Sequence, residues 1–352
     1  MIRFLVLITI IQIGFLNQIL SQDNLTCFPD STWISYDSLE LIGYDSKKVE
    51  SAIKFAIDST NTTGLIAVVD GKILFEYGDI EELSYIASCR KSILSMMYGK
   101  YVKNGTIKLD KTLDDLGIDD INGLLPIERQ ATIRNLLTSR SGVYHPRSNE
   151  GDDTKYAPER GSVEPGSYFL YNNWDFNAAG GIFEQLTNKS IYETFEQDIA
   201  IPIQMQDFKI EKQQKNGDST KSKYLAYHFW LSTRDMARLG LLMLNKGNWN
   251  GQQIIPEDWV ELTTSTYTPT SEINPAFKRD WNLAYGYLWW IWKDNDEIFK
   301  GAYYASGSYG QYLLIIPELK MVVSLKTKYA YRRRTNFPEF RELVYKIVNS
   351  KI

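Results

Sequence analysis

A chain of 352 residues, 43% hydrophobic and 23% charged, can bury one large core and has the composition of an ordinary soluble protein. Its net charge of −4 offers neither the basic surface that nucleic acid needs nor a polybasic membrane anchor. With two histidines and two cysteines it lacks the side chains for a multi-histidine or cysteine-cluster metal site or a disulfide framework, so no metal or cofactor is expected.

The N-terminus reads as an export signal over residues 1–21. Arg3 precedes the apolar run "FLVLITIIQIGFL", and polar residues then lead to the small Ser21. The run is short for a membrane span. A secreted or periplasmic protein is expected, with membrane association only if the segment is retained. Residues 22–352 read as a single domain. Over 45–59, Val49, Ile53, Ala56 and Ile57 recur at helical spacing. "GLIAVVDGKILFEYGD" places two β-rich runs about Asp70-Gly71, which predicts a hairpin. A helix follows from near Ser88 to about Lys103, stopped by Asn104-Gly105.

From about 106 to 260 helical patterns and loops dominate, with "TIRNLLTSRSG", "WDFNAAGGIFEQLTN" and "STRDMARLGLLMLNKG" as the clear helices. His145 precedes a proline and His228 stands in "YHFW"; both read as structural. The C-terminal part turns to short β-rich runs, from "YGYLWWIW" to "KMVVSLKTKY", which predict an antiparallel meander. Arg332 to Arg334 read as a solvated face, and "FPEFRELVYKIV" as a last helix. Strands at both ends with helices between predict an α+β fold. One antiparallel sheet is built from both chain ends and flanked by terminal helices. A mainly helical lobe fills the middle, with a cleft where lobe meets sheet.

"ASCRKSIL" puts Ser88 and Lys91 three apart at a predicted helix start, where Oγ and Nζ share a face. The helix N-terminus favours negative charge on an attacking or developing oxygen. A free lysine is a poor base at neutral pH, so burial and a polar network must lower its pKa. Ser51 and Lys54 repeat the spacing within the first amphipathic helix, where they face solvent or flank the core. Tyr171 is a second proton carrier: beside an ammonium its phenol is stabilised as phenolate. Asn173, two residues on, can orient the lysine and donate to a substrate carbonyl. Tyr-x-Asn occurs once in the chain. Ala305, Ser306, Gly307 and Ser308 end a strand whose small residues let a substrate lie against the backbone and whose N–H groups can complete an oxyanion hole. Trp290 and Tyr144 can line the cleft, and core or rim packing fits them equally. Cys89 reads as a small buried filler with no activator.

In this order, Ser88-x-x-Lys91, Tyr171-x-Asn173 and the small-residue strand resemble the serine β-lactamase and penicillin-binding protein superfamily, nearest its class C-like branch of esterases, D-aminopeptidases and 6-aminohexanoate-oligomer hydrolases. The resemblance spans roughly residues 50 to 350. It implies Ser88 as an acylated nucleophile and Lys91 with Tyr171 as general base and acid. It further implies Asn173 as positioning Lys91 and the substrate, an oxyanion hole from the N–H groups of Ser88 and Ser308, and Ser306 in place of the threonine of Lys-Thr-Gly. Ala305 stands where that motif has its lysine, which helps receive the carboxylate of penicillins and D-alanyl peptides. An ester or amide hydrolase acting on a small molecule or short peptide is therefore expected. A β-lactamase or D-alanyl carboxypeptidase and a non-catalytic binding protein on the same fold are the alternatives.

Overall fold

The computed structural model describes residues 26–352; the export segment expected over 1–21 lies outside them. The major elements in chain order are α1 (Ser46–Ser59), β1 (Gly64–Val69), β2 (Lys72–Gly78), α2 (Cys89–Lys103), α3 (Asn173–Thr187) and α4 (Thr233–Leu244). Then come β3 (Leu283–Tyr285), β4 (Trp290–Trp292), β5 (Tyr303–Gly307), β6 (Gln311–Ile316), β7 (Met321–Lys326) and α5 (Phe337–Val348). The strands form one seven-stranded sheet in the order β2-β1-β7-β6-β5-β4-β3. Its pairs are antiparallel, and β1 pairs with β7 from Gly64↔Lys326 to Val69↔Met321, so the two chain ends are joined as expected.

Every residue of β1, β6 and β7 is buried, because both faces of the sheet are covered. Side chains alternate across a strand. Leu65, Ala67 and Val69 pack with Phe340, Leu343 and Ile347 of α5, while Ile66 and Val68 face the second core with α2 and α3. In α1, Asp45 caps the first turn by accepting from the N–H groups of Lys47 and Lys48. Ser51 is exposed there and Lys54 pairs with Asp58 at 2.6 Å, so the second Ser-x-x-Lys spacing is a solvent face.

One helix of the predicted lobe belongs elsewhere. α4 lies on β7, β6 and β1, and Gly240 lets it approach: a Cβ there would stand 2.4 Å from Val322 Cγ1. An amphipathic helix carries the same pattern whether it packs on helices or on a sheet, so sequence placed it in the lobe. The lobe's first predicted helix is short, Ile133–Leu137, capped by Thr132. His145 is buried, with Nδ1 2.8 Å from Pro146 O and Nε2 2.7 Å from Ile121 O. Burial pushes the His228 imidazole down to about 4.

Lys326, at the end of β7, is buried without a carboxylate partner among the described residues. Its Nζ donates to Ser84 O at 3.2 Å and to Leu231 O. Burial lowers its pKa to about 7, with weaker opposition from Glu82. The unfolded chain therefore holds more protons than the folded one between pH 7 and the ordinary lysine range, and stability rises with pH across that window. Lys326→Met is expected to gain stability relative to wild type most at neutral pH. The difference should shrink by up to about 1.4 kcal/mol per pH unit as pH is raised. Urea denaturation from pH 7 to 9.5 reads this, and parallel curves would contradict it.

Candidate active site

Ser88 occupies the N-cap of α2 yet makes no side-chain cap bond. Serine at this position ordinarily accepts from a first-turn N–H. Here its Oγ lies 2.8 Å from Lys91 Nζ instead. That diversion distinguishes the stretch from an ordinary helix start. Lys91 is 2% exposed, and its Nζ also stands 2.7 Å from Tyr171 OH and 4.5 Å from the Phe176 ring centroid. Burial, then the neighbouring Arg90 charge, hold its pKa well below the ordinary lysine range; Asp152 and Asp153 oppose more weakly. The enclosure thus favours the neutral, proton-accepting amine.

Tyr171 differs from expectation in charge. Burial pushes its phenol above the ordinary range, against a weaker lowering by Ser88 and Arg90. It rests as a neutral phenol. The phenolate expectation assumed a charged lysine beside it, and the enclosure that discharges Lys91 removes that stabilisation.

Asn173 also departs from its expected task. Its Nδ2 donates to Asn149 O at 3.3 Å and to Glu150 O at 3.0 Å, and its Oδ1 is buried without a partner among the described residues. Both amide hydrogens are spent on the 149–150 backbone, so the side chain pins that loop rather than donating to Lys91 or a substrate. The loop is held further by Asp152, whose Oδ2 accepts from the Asn173 N–H at 3.0 Å and lies 3.2 Å from Arg147 Nε. Asp153 pairs with Lys278 at 2.6 Å.

β5 brings the small-residue motif against Ser88. A Cβ on Gly307 would stand 2.4 Å from Ile86 O and 3.2 Å from Ala87 Cβ, so only glycine permits this approach. The residue before Ser308 is thereby packed on the residues before Ser88. The Ser88 and Ser308 N–H groups have no acceptor among the described residues. Ala87 (φ +48°) and Tyr309 (φ +68°) hold left-handed conformations on either side of this pair. Ala305 turns away from the cleft and is buried with Ile86 and Cys89. Burial pushes the Cys89 thiol up to about 12.

Ser88, Tyr171, Trp290, Ser306, Gly307 and Ser308 line one cleft of about 360 Å³. Lys91 and Asn173 stand buried behind it. Trp290 stacks on Tyr171 at 5.7 Å, and Phe337 stacks on Tyr304 at 5.7 Å on the wall beyond. Tyr144 lines a separate depression with His145 and Arg160. A larger groove of about 1060 Å³ beside Lys100, Asp198 and Glu257 holds none of the constellation. Sequence reasoning missed Arg90, Asp152, Asp153, Lys278 and Phe337. No local pattern marks them, although Arg90 adjoins the nucleophile. Arg334, read as part of a solvated run, is exposed but reaches the cleft rim. Among the described residues no group of three or more histidine, cysteine, aspartate or glutamate side chains is arranged to hold a metal.

Comparison with known proteins places this geometry. A family model described as beta-lactamase matches residues 59–342. An uncharacterised protein of Alkalihalophilus pseudofirmus is 25% identical over 259 residues, covering 68% of this chain and 71% of that protein. A candidate 6-aminohexanoate-dimer hydrolase from Bacillus anthracis shares the fold with a TM-score of 0.66 and 22% identity, over 92% of this chain and 89% of the other. A mutant class C beta-lactamase does so at 0.65 and 13%, over 90% and 99%. A hydrolase with promiscuous acyltransferase activity follows at 0.58 and 14%, over 85% and 98%.

The close approach at Gly307 yields a direct test. Gly307→Ala must part β5 from the 86–88 turn. It is expected to cost roughly 1–3 kcal/mol in urea denaturation. It should also slow the reaction of Ser88 with a fluorophosphonate, because the two free N–H groups separate. Wild-type stability and reactivity together would show that the approach is not needed.

Proposed function

Because the chain belongs to the beta-lactamase family, we propose that it is a serine hydrolase that cleaves a small ester or amide through an acyl-enzyme on Ser88. The observation that carries this reading is the placement of the buried, discharged Lys91 amine between Ser88 Oγ and Tyr171 OH. In the proposed reaction Lys91 takes the hydroxyl proton as Oγ attacks the carbonyl carbon. The Ser88 and Ser308 N–H groups receive the developing oxyanion, aided by the positive end of α2. Tyr171 hands a proton to the departing alcohol or amine and is reprotonated through Lys91. A water then repeats the sequence on the acyl-enzyme: Lys91 takes its proton, the acid is released, and Ser88 regains its hydrogen. The balance is one water consumed, with one acid and one alcohol or amine released.

Ala305 favours esters and unfunctionalised amides over penicillins or D-alanyl peptides, since it supplies no cation for a carboxylate. A β-lactamase or carboxypeptidase with the same machinery is the second reading, favoured by the family match. A binding protein that has lost catalysis is disfavoured by the intact Ser88, Lys91 and Tyr171. Export belongs to the proposal too and rests on the segment 1–21; N-terminal sequencing of protein recovered outside the cytoplasm tests it. No helix among the described residues is long and apolar enough to cross a membrane.

Incubation with a fluorophosphonate, and separately with a penicillin, followed by intact and peptide mass spectrometry, tests the mechanism. A fluorophosphonate adduct on Ser88 is expected. No adduct from any acylating reagent on folded protein would sink the hydrolase reading, and steady nitrocefin turnover would move the substrate to β-lactams.

Two substitutions divide the labour. Ser88→Ala should abolish ester turnover while leaving the urea midpoint nearly unchanged. Tyr171→Phe should lower kcat by roughly 10²- to 10⁴-fold, the usual contribution of a positioned proton carrier. Residual turnover in Ser88→Ala would overturn the nucleophile assignment.

A further inference from the structure

Arg90 lies between the nucleophile and the base in sequence, and neither the reaction above nor the fold accounts for it. It is 2% exposed. Its guanidinium donates through Nη2 to Asn177 Oδ1 at 2.7 Å and lies 4.3 Å over the Tyr227 ring, while Nη1 is buried with no partner among the described residues. No carboxylate pairs with it among the described residues, although arginine is the residue most often held in place by one. A buried unpaired charge is costly, and packing alone gives no reason for it; a methionine would fill the space without that cost.

The two neighbouring basic side chains dock on neighbouring residues of α3. Lys91 Nζ sits against Phe176, and Arg90 against Asn177. The other charges around Lys91 are arranged with a consistent sign. Asp152, from the loop before α3, lies 3.2 Å from Arg147 Nε, and Asp153 pairs with Lys278 at 2.6 Å. Asp175 of α3 is buried, and burial pushes its carboxyl well above the ordinary carboxylate range, which favours its neutral form. From its own helix Lys91 meets the Cys89 thiol, which is neutral. His228, from the strand Ala226–His228, is neutral as well. Of the acids that would hold a proton on Lys91, Asp153 has Lys278, Asp152 shares Arg147 with Glu150, and burial favours the neutral form of Asp175. The one fixed positive charge beside it is left unmatched.

Resting on the hydrolase reading of Lys91, we propose that Arg90 is a positioning residue whose unpaired guanidinium supplies the field that keeps the Lys91 amine in its neutral, proton-accepting form. Arginine suits the task because it cannot itself shed the charge, as a lysine in the same enclosure would. The Asn177 amide holds the guanidinium in place without cancelling it, which an aspartate at that position would do.

The test reads the ionisation of Lys91 directly, so it does not depend on turnover. Protein carrying [ε-13C]lysine is titrated by NMR, with the Lys91 resonance assigned by its loss in Lys91→Arg. Arg90→Gln is expected to move the Lys91 titration upward by roughly one pH unit or more. The acid limb of fluorophosphonate labelling at Ser88 should move with it, and Arg90→Lys, whose amine would shed its charge in that enclosure, should move it in the same direction. Because Arg90→Gln can unfold, Asn177→Asp serves as the second variant. It leaves Arg90 in place, gives it a counter-charge, and should move the titration in the same direction. An unmoved Lys91 titration in whichever variant folds overturns the proposal. Absent Ser88 labelling at every pH in wild type would overturn the hydrolase reading instead, and the Lys91 titration would still decide the role of Arg90.

Discussion

The site depends on enclosing one amine with no carboxylate partner. An ammonium taken from water without a counter-ion costs several kcal/mol, and release of the proton removes most of that cost. The enclosure comes from α2, which is buried on nearly every side: Ile93, Leu94, Met97 and Tyr98 all face the core. The same enclosure acts with opposite sign on Tyr171, whose phenol keeps its proton because the phenolate is the charged form. One physical cause thus sets the two partners in complementary states. The amine can take a proton and the phenol can give one, and both stand within hydrogen-bond reach of the nucleophile's side of the cleft.

A helix enclosed this completely can show the cleft only its first residue, so the turn before it must be exact in position. The sheet supplies that. β5 is an interior strand, held between β6 and β4, and the pairing of β1 with β7 closes the sheet across the two chain ends. Gly307 then lets β5 touch the 86–87 backbone. The left-handed residues Ala87 and Tyr309 each carry strain of order 1–3 kcal/mol, and surrounding packing must hold it. They flank the two residues whose N–H groups are left free. At both places the chain turns sharply beside a free amide; left-handed residues also stand at the sheet turns, at Asp70, Leu288 and Lys320.

Much of this was legible in the sequence because it follows from local periodicity. The hairpin at Asp70, the stop at Asn104, the long helix after Tyr171 and the C-terminal meander are each written in residues that touch their neighbours in sequence. The Ser88 and Lys91 pair was legible for the same reason, since three-residue spacing on a helix brings Oγ and Nζ together. What was not legible depends on burial or on loops. The Tyr171 charge state reversed, because it is set by the enclosure rather than by the residue beside it. Asn173 was assigned to Lys91, but the carbonyls of Asn149 and Glu150 reach it first, through a loop whose course no periodicity gives. The pairing of Asp153 with Lys278 joins residues 125 apart. α4 was placed in the wrong layer because its apolar face fits either.

The alternation of β5 also bears on what the cleft accepts. Tyr304 and Ser306 point one way and line the cleft; Ala305 points the other, into the core with Cys89. Lys278 lines the cleft, and Asp153 already occupies it. Arg334 stands exposed at the rim, where a single ion pair is worth about 1 kcal/mol or less. The remaining walls mix the aromatic Trp281, Trp290, Tyr304 and Phe337 with the polar Thr335 and Asn336. A carboxylate carried deep into the cleft would lose its hydration with no enclosed charge to replace it. The same strand that completes the proposed oxyanion site thus also sets which side chains meet the cleft, Ser306 toward it and Ala305 toward the core.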